Sequence, residues 1–209
     1  MRTIIQKEIS RLKNHKLVGI FLLFLLCLNK VSVVYSSDKP FLAITSMPSD
    51  FQKQLKTVNS ECKVAYGMRK DNALDEIANY KPDEIRRFIF KEPDYEKLFR
   101  CPFWMAMDSA RYCAFLPELI KALTDTTYVG LTNAFDVTIW CRVKTGQLKE
   151  NTYNYQIDDD VFKVCGRANW ILKRLTKKEF GNIRCDTKQE SIQLIQDKWI
   201  KWLNTLKGK

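Results

Sequence analysis

Six cysteines dominate what this chain can fold into. Cys62, Cys101, Cys113, Cys141, Cys165 and Cys185 are separated by 38, 11, 27, 23 and 19 residues. No C-x-x-C occurs, so a thioredoxin-type redox site and a zinc ribbon have no support. A seventh cysteine, Cys27, lies in an apolar run near the N-terminus. An even set of cysteines in an exported chain reads as a disulfide framework, and three disulfides are expected from these six. One pairing can be argued against. If residues 102–114 form a helix, Cys101 and Cys113 stand about 18 Å apart along its axis. A disulfide tolerates roughly 7 Å between Cα atoms.

The N-terminus supplies the export argument. Arg2, Lys7, Arg11, Lys13 and Lys16 precede an unbroken apolar run, Leu17 to Leu28. Val34-Tyr35-Ser36 then offers a small-residue cleavage point. This is the tripartite pattern of a secretory signal over residues 1–36. The run is shorter than the about 20 residues a spanning helix needs. An uncleaved signal-anchor is the alternative, and either way the basic flank stays cytoplasmic and the rest is translocated. Residues 37–209 are then a single exported six-cysteine domain, extracellular if the signal is cleaved and tethered if it is not.

Residue periodicity predicts an α+β fold: a mostly helical, disulfide-tied body with a small antiparallel hairpin or sheet and an amphipathic C-terminal helix. Residues 37–48 read as an extended lead-in. Helical spacing appears over Phe51–Cys62 and Asn72–Tyr80. Pro82-Asp83-Glu84 and Pro93-Asp94 each place a proline and acids at a helix start. Pro102 opens an apolar stretch to Leu116, and Pro117-Glu118 restarts a helix to about Leu123. From Phe135 to Val143 apolar residues alternate with other types, the signature of a half-buried strand. Thr145-Gly146 signals a turn, and Tyr153, Tyr155 and Ile157 form its returning partner. A further strand near 127–131 is expected beside them. Asp158-Asp159-Asp160 then precedes a helix carrying Val161, Val164, Cys165, Ala168, Ile171, Leu172 and Leu175 on one arc, with Trp170 opposite. Thr187 and Glu190 match a capping box before a last helix with Ile192, Ile195, Trp199, Trp202, Leu203 and Leu206 on one face.

The charge is uneven. The chain carries a formal +11, yet residues 37–166 hold 18 Lys/Arg against 19 acids, whereas residues 167–209 hold 11 against 4. Lys173, Arg174, Lys177, Lys178 and Arg184 are the densest part. A solvated face explains such a cluster, and so does an anionic partner: an anionic polysaccharide, an anionic membrane surface or an acidic protein face. No nucleic-acid reading motif is present. Trp199 and Trp202 opposite Lys198 and Lys201 would suit membrane insertion, but a core-facing helix fits them better.

Catalysis has little to work with. The one histidine is His15, inside the signal, so residues 37–209 lack the commonest general base and metal ligand. No glycine-rich phosphate loop occurs, and no cofactor is implied. The Asp158–Asp160 run reads as helix-capping acid. A carboxylate-dependent extracellular hydrolase would need two such acids in one cleft. Phe103, Trp104, Met105, Met107, Tyr112 and Phe115 read as core, or as the wall of an apolar ligand pocket in a carrier protein. Trp140 and Trp170 each fall on the polar side of their element and are candidate contact aromatics, unless a second packing layer covers them. The expected function is therefore a secreted, non-catalytic binding or interaction protein, with the carrier and the hydrolase as alternatives.

Overall fold

The computed structural model describes residues 53, 56, 57, 76–135, 137–149 and 155–206. The expected signal segment 1–36, the lead-in 37–48 and Cys62 lie outside these residues, as does most of the helix expected at 51–62. Of the helix expected over 72–80, residues 76–78 are helical and Ile77 is fully buried.

Helix α1, Pro82–Phe90, forms where the proline and acids place it. Glu84 reaches back to accept the N–H of Lys81 at 2.8 Å, and Ile85, Phe88 and Ile89 face inward. Helix α2, Tyr95–Met105, is capped by Asp94, whose carboxylate accepts the N–H groups of Glu96 and Lys97. It runs straight through Pro102, which the sequence suggests as a start. The break comes instead at Ala106–Met107, where Asp108 caps α3 by accepting the N–H of Arg111 at 2.7 Å. Helix α3, Ser109–Ala122, likewise absorbs Pro117. Each interior proline removes one backbone hydrogen bond. Burial of the surrounding faces holds the helices together: Leu98, Phe103 and Trp104 in α2, and Tyr112, Phe115, Leu116 and Leu119 in α3.

The β structure departs from expectation. Strands β1, Val137–Thr138, and β2, Tyr155–Gln156, pair in parallel, with Val137 opposite Tyr155. A parallel pair cannot be closed by a hairpin turn and needs a crossover. That crossover contains α4, Trp140–Lys144, in the second half of the residues that read as a strand. The reason is Arg142. It is buried, and a helical turn puts it on the same inward face as Ile139, three residues earlier. At 127–131 there is no named strand but an isolated bridge from Tyr128 to Lys163.

Helix α5, Val164–Thr176, is the centre of the domain. It packs against α1, α2 and α3, and Val164 through Leu172 are all buried. A helix covered on every side has no polar face. Trp170, a candidate contact aromatic opposite the apolar arc, is therefore covered by a second packing layer and buried at 5% exposure. Lys177 closes the helix in the left-handed region at φ 54°. Helix α6, Gln189–Thr205, packs on α3 and buries Ile192, Ile195, Trp199 and Leu203. Its lysines Lys198 and Lys201 stay exposed. The capping box is not made: Lys188 stands at the N-cap, and the Thr187 hydroxyl accepts the N–H of Arg184 instead. Among the described residues no helix is long and apolar enough to cross a membrane.

One disulfide, Cys141–Cys185, ties α4 to the loop before α6 across 44 residues. Closing a loop of that length stabilises the fold by roughly 4 kcal/mol on chain-entropy grounds. The other two expected disulfides are not formed by the described cysteines: Cys101, Cys113 and Cys165 are free thiols. Cys101 and Cys165 are buried, and desolvation raises both thiols well above their usual range, Cys165 to about 11. Such thiols act as small apolar core residues.

Candidate functional site

The three consecutive acids do not cap α5, whose N-cap is Lys163. They turn in different directions. Asp158 is half exposed, and the guanidinium of Arg184 is 4.0 Å away. Asp159 points inward. Its carboxylate accepts from Asn169 at 2.7 Å, from the Ile183 N–H at 2.8 Å and from the Lys173 ammonium at 2.9 Å. Burial raises its pKa, and Lys173 is the largest influence opposing the rise. Asp160 is fully buried and takes a two-pronged bond from Arg142, at 2.8 and 2.6 Å. Arg142 also donates to Gln147 and stacks on Phe162 and Tyr128.

The backbone that places these acids depends on one glycine. A Cβ on Gly166 would stand 2.1 Å from the carbonyl oxygen of Asp160. Close approach of chain 158–160 to α5 is therefore possible only with glycine there. The next residue, Arg167, is fully buried and donates to five carbonyls: Val161, Phe88, Ile89, Glu92 and Gly130. Phe88 and Ile89 are among the last carbonyls of α1, the negative end of its dipole. Burial lowers the Arg167 pKa to about 10, which leaves it charged at neutral pH.

Cys141, Cys185 and Asp160 bring three metal-ligand atoms within 4.8 Å of one another. The two sulfurs are bonded to each other and the carboxylate is bonded to Arg142. This donor set is committed to holding α4 and the 183–187 loop together. Asp159 is equally committed, with both oxygens hydrogen-bonded inside the protein.

The basic cluster separates into inward and outward members. Lys173 lies at Asp159 and also bonds Asn182 at 2.5 Å. Arg174 is partly buried among Phe99, Phe103, Tyr155 and Trp170 and donates to the Tyr155 hydroxyl at 2.9 Å. Lys177, Lys178 and Arg184 are exposed. Trp140 is exposed too, at 44%, unlike Trp170. The Phe103–Phe115 aromatics form continuous core, and of the apolar set named with them Met107 is exposed at the turn.

Two adjoining clefts flank Gln156–Asp158. The first, about 270 Å³, lies between β2 and the end of α5 and is walled by Tyr155, Trp170, Arg174 and Lys177. The second, about 380 Å³, lies beside α4 and is walled by Trp140, Lys144, Arg184 and Asp186. Five of these eight wall residues, Trp140, Trp170, Arg174, Lys177 and Arg184, are contact candidates by sequence pattern alone, whereas Tyr155, Lys144 and Asp186 carry no such signal. Sequence reasoning also missed Arg142 and Arg167. Their signal was present, since each is a cation set among residues that otherwise alternate or repeat as core.

No protein-family model matches this chain, and no curated protein and no solved structure is matched by it.

Proposed function

We propose that this chain is an exported, non-catalytic binding protein whose partner is an anionic polysaccharide. The observation that carries the reading is the pair of clefts about Gln156–Asp158, where exposed Trp140 and Tyr155 alternate with Lys144, Lys177 and Arg184. Flat aromatic faces receive the C–H faces of sugar rings, and cations between them meet acidic substituents. The net charge of the C-terminal segment draws such a polymer in over distances up to a Debye length. Export is supported by the basic–apolar–small pattern of residues 1–36 and by the Cys141–Cys185 disulfide, which suits an oxidising compartment.

Heparin chromatography in a salt gradient tests the proposal. The variant K177A/K178A/R184A should elute at lower salt than the parent. It should also elute at lower salt than K121A/K198A/K201A, which removes the same charge from exposed positions of α3 and α6. Equal elution of the two triple variants would mean that net charge alone drives retention and would reject the surface.

A further inference from the structure

Arg174 stands apart from the other cations of α5. Lys173 is paired with Asp159, and Arg167 is hydrogen-bonded to five carbonyls. Arg174 makes one hydrogen bond, to the Tyr155 hydroxyl, and no carboxylate pairs with it among the described residues. A guanidinium has five N–H donors. Four aromatic rings hold it in place, with centroids 5.2 to 5.9 Å from its central carbon. The Tyr155 hydroxyl accepts from Arg174, so its own proton is left to give. In the same cleft wall Trp170, only 5% exposed, keeps its indole N–H buried without an acceptor among the described residues. A pre-oriented cation and a hydroxyl thus share one space of about 270 Å³, with the Trp170 ring in its wall.

That space selects its guest by chemistry. A neutral apolar molecule would leave the guanidinium donors unmet. A multiply charged anion would meet Asp158 and Asp159 in the same wall. The volume lies just below the range of drug-sized ligand pockets, which suits a single ring. The Nη1 atom is taken by Tyr155, and the remaining edge of the guanidinium is a planar fork that matches a carboxylate.

We propose that this cleft seats one uronic acid residue, with its carboxylate on Arg174 and Tyr155 and its ring against the aromatic wall. The assignment rests on the polysaccharide reading for its ligand class and shares Tyr155 with it, but its geometry turns on Arg174, which that reading does not use.

The test is tryptophan-fluorescence titration of the full chain with a hyaluronan tetrasaccharide, which carries carboxylates and no sulfate. Saturable binding is expected, and R174Q should weaken it by about tenfold or more, the loss typical of a charged hydrogen bond. Y155F, at an exposed residue whose change leaves folding intact, should weaken it by roughly threefold. The variant K178A/R184A should stay within about threefold of the parent, as expected for exposed cations. A tetrasaccharide with its carboxylates reduced to alcohols should not bind. Unchanged binding by both R174Q and Y155F, equal binding of the reduced sugar, or no saturable binding would each overturn the seat. Competition by inorganic sulfate at the same concentration would overturn a carboxylate-selective site. If heparin elution fails to separate the triple variants while binding still depends on Arg174, only the wider surface falls. If elution separates them and Arg174 is indifferent, only the seat falls.

Discussion

Lys173 decides whether the basic segment is a surface or a structural element. Its ammonium donates to Asp159 at 2.9 Å and to Asn182 at 2.5 Å, and its side chain is 17% exposed against 2% for Asp159. Lys173→Met keeps the volume of the stem and removes the charge. Asp159 then keeps the Asn169 and Ile183 donors but loses the cation that balances it. Breaking a buried pair by deleting one partner costs 3–5 kcal/mol; the partial exposure of Lys173 places this case near the lower end, about 3 kcal/mol. In a domain of this size that lowers Tm by roughly 6–12 °C. The deficit should depend on pH. Burial holds the folded pKa of Asp159 above its ordinary 3.8, so the stability linked to its proton is fully present below 3.8 and is lost as pH rises through the folded value. Removing Lys173 raises that folded value further. The gap between variant and parent, read by calorimetry, should therefore be widest near neutral pH and close as pH falls toward 4. A Lys173→Met protein that melts with the parent at pH 7 yet elutes early from heparin would refute this account and return Lys173 to the surface.

Two other outcomes follow from the packing around α5. Gly166→Ala places a methyl 2.1 Å from the Asp160 carbonyl, a backbone atom that cannot rotate away, and should cost about 3 kcal/mol or more in urea unfolding; a loss below 1 kcal/mol, the scale of ordinary helix propensity, would show that chain 158–160 relaxes. Burial raises the pKa of all three free thiols, but Cys113 is only partly buried, so native protein treated with iodoacetamide at pH 8 should be alkylated there before Cys101 and Cys165; peptide mass spectrometry showing Cys101 or Cys165 modified as fast as Cys113 would contradict the packing.

The helices were legible where local chemistry alone decides them. Asp94 caps α2, Glu84 closes the start of α1, and the apolar arc of α6 faces the core, all within one turn of chain. What sequence could not convey was long-range demand. The alternation from Phe135 to Val143 is compatible with a strand, but Arg142 must reach Asp160, 18 residues on, and that bond favours a helical turn. Pro102 and Pro117 look like helix starts because the local rule counts only the missing N–H. The buried faces of α2 and α3 outweigh that loss. Trp170 lies opposite the amphipathic arc, and whether that side is wet or covered by a second layer depends on neighbours far along the chain, which here cover it. The cysteine count implied pairing, but only Cys141 and Cys185 among the described cysteines are brought together.

The same distinction governs how the basic segment should be probed. Net charge counts every cation alike, whereas the fold assigns each one a partner or leaves it exposed. Arg167 satisfies buried carbonyls and Lys173 balances a buried carboxylate, and their loss should appear as melting. Lys178 and Arg184 project from the surface, and their loss should appear as altered retention with an unchanged melt. Arg174 lies between these classes. It is packed by aromatics like a core residue, yet it is bonded to a single neutral hydroxyl. An arginine that served only as packing could be replaced by an apolar residue of similar volume without loss of stability. Arg174→Met is therefore expected to keep or raise Tm while abolishing oligosaccharide binding, a combination that neither a purely structural cation nor a diffuse surface charge would give.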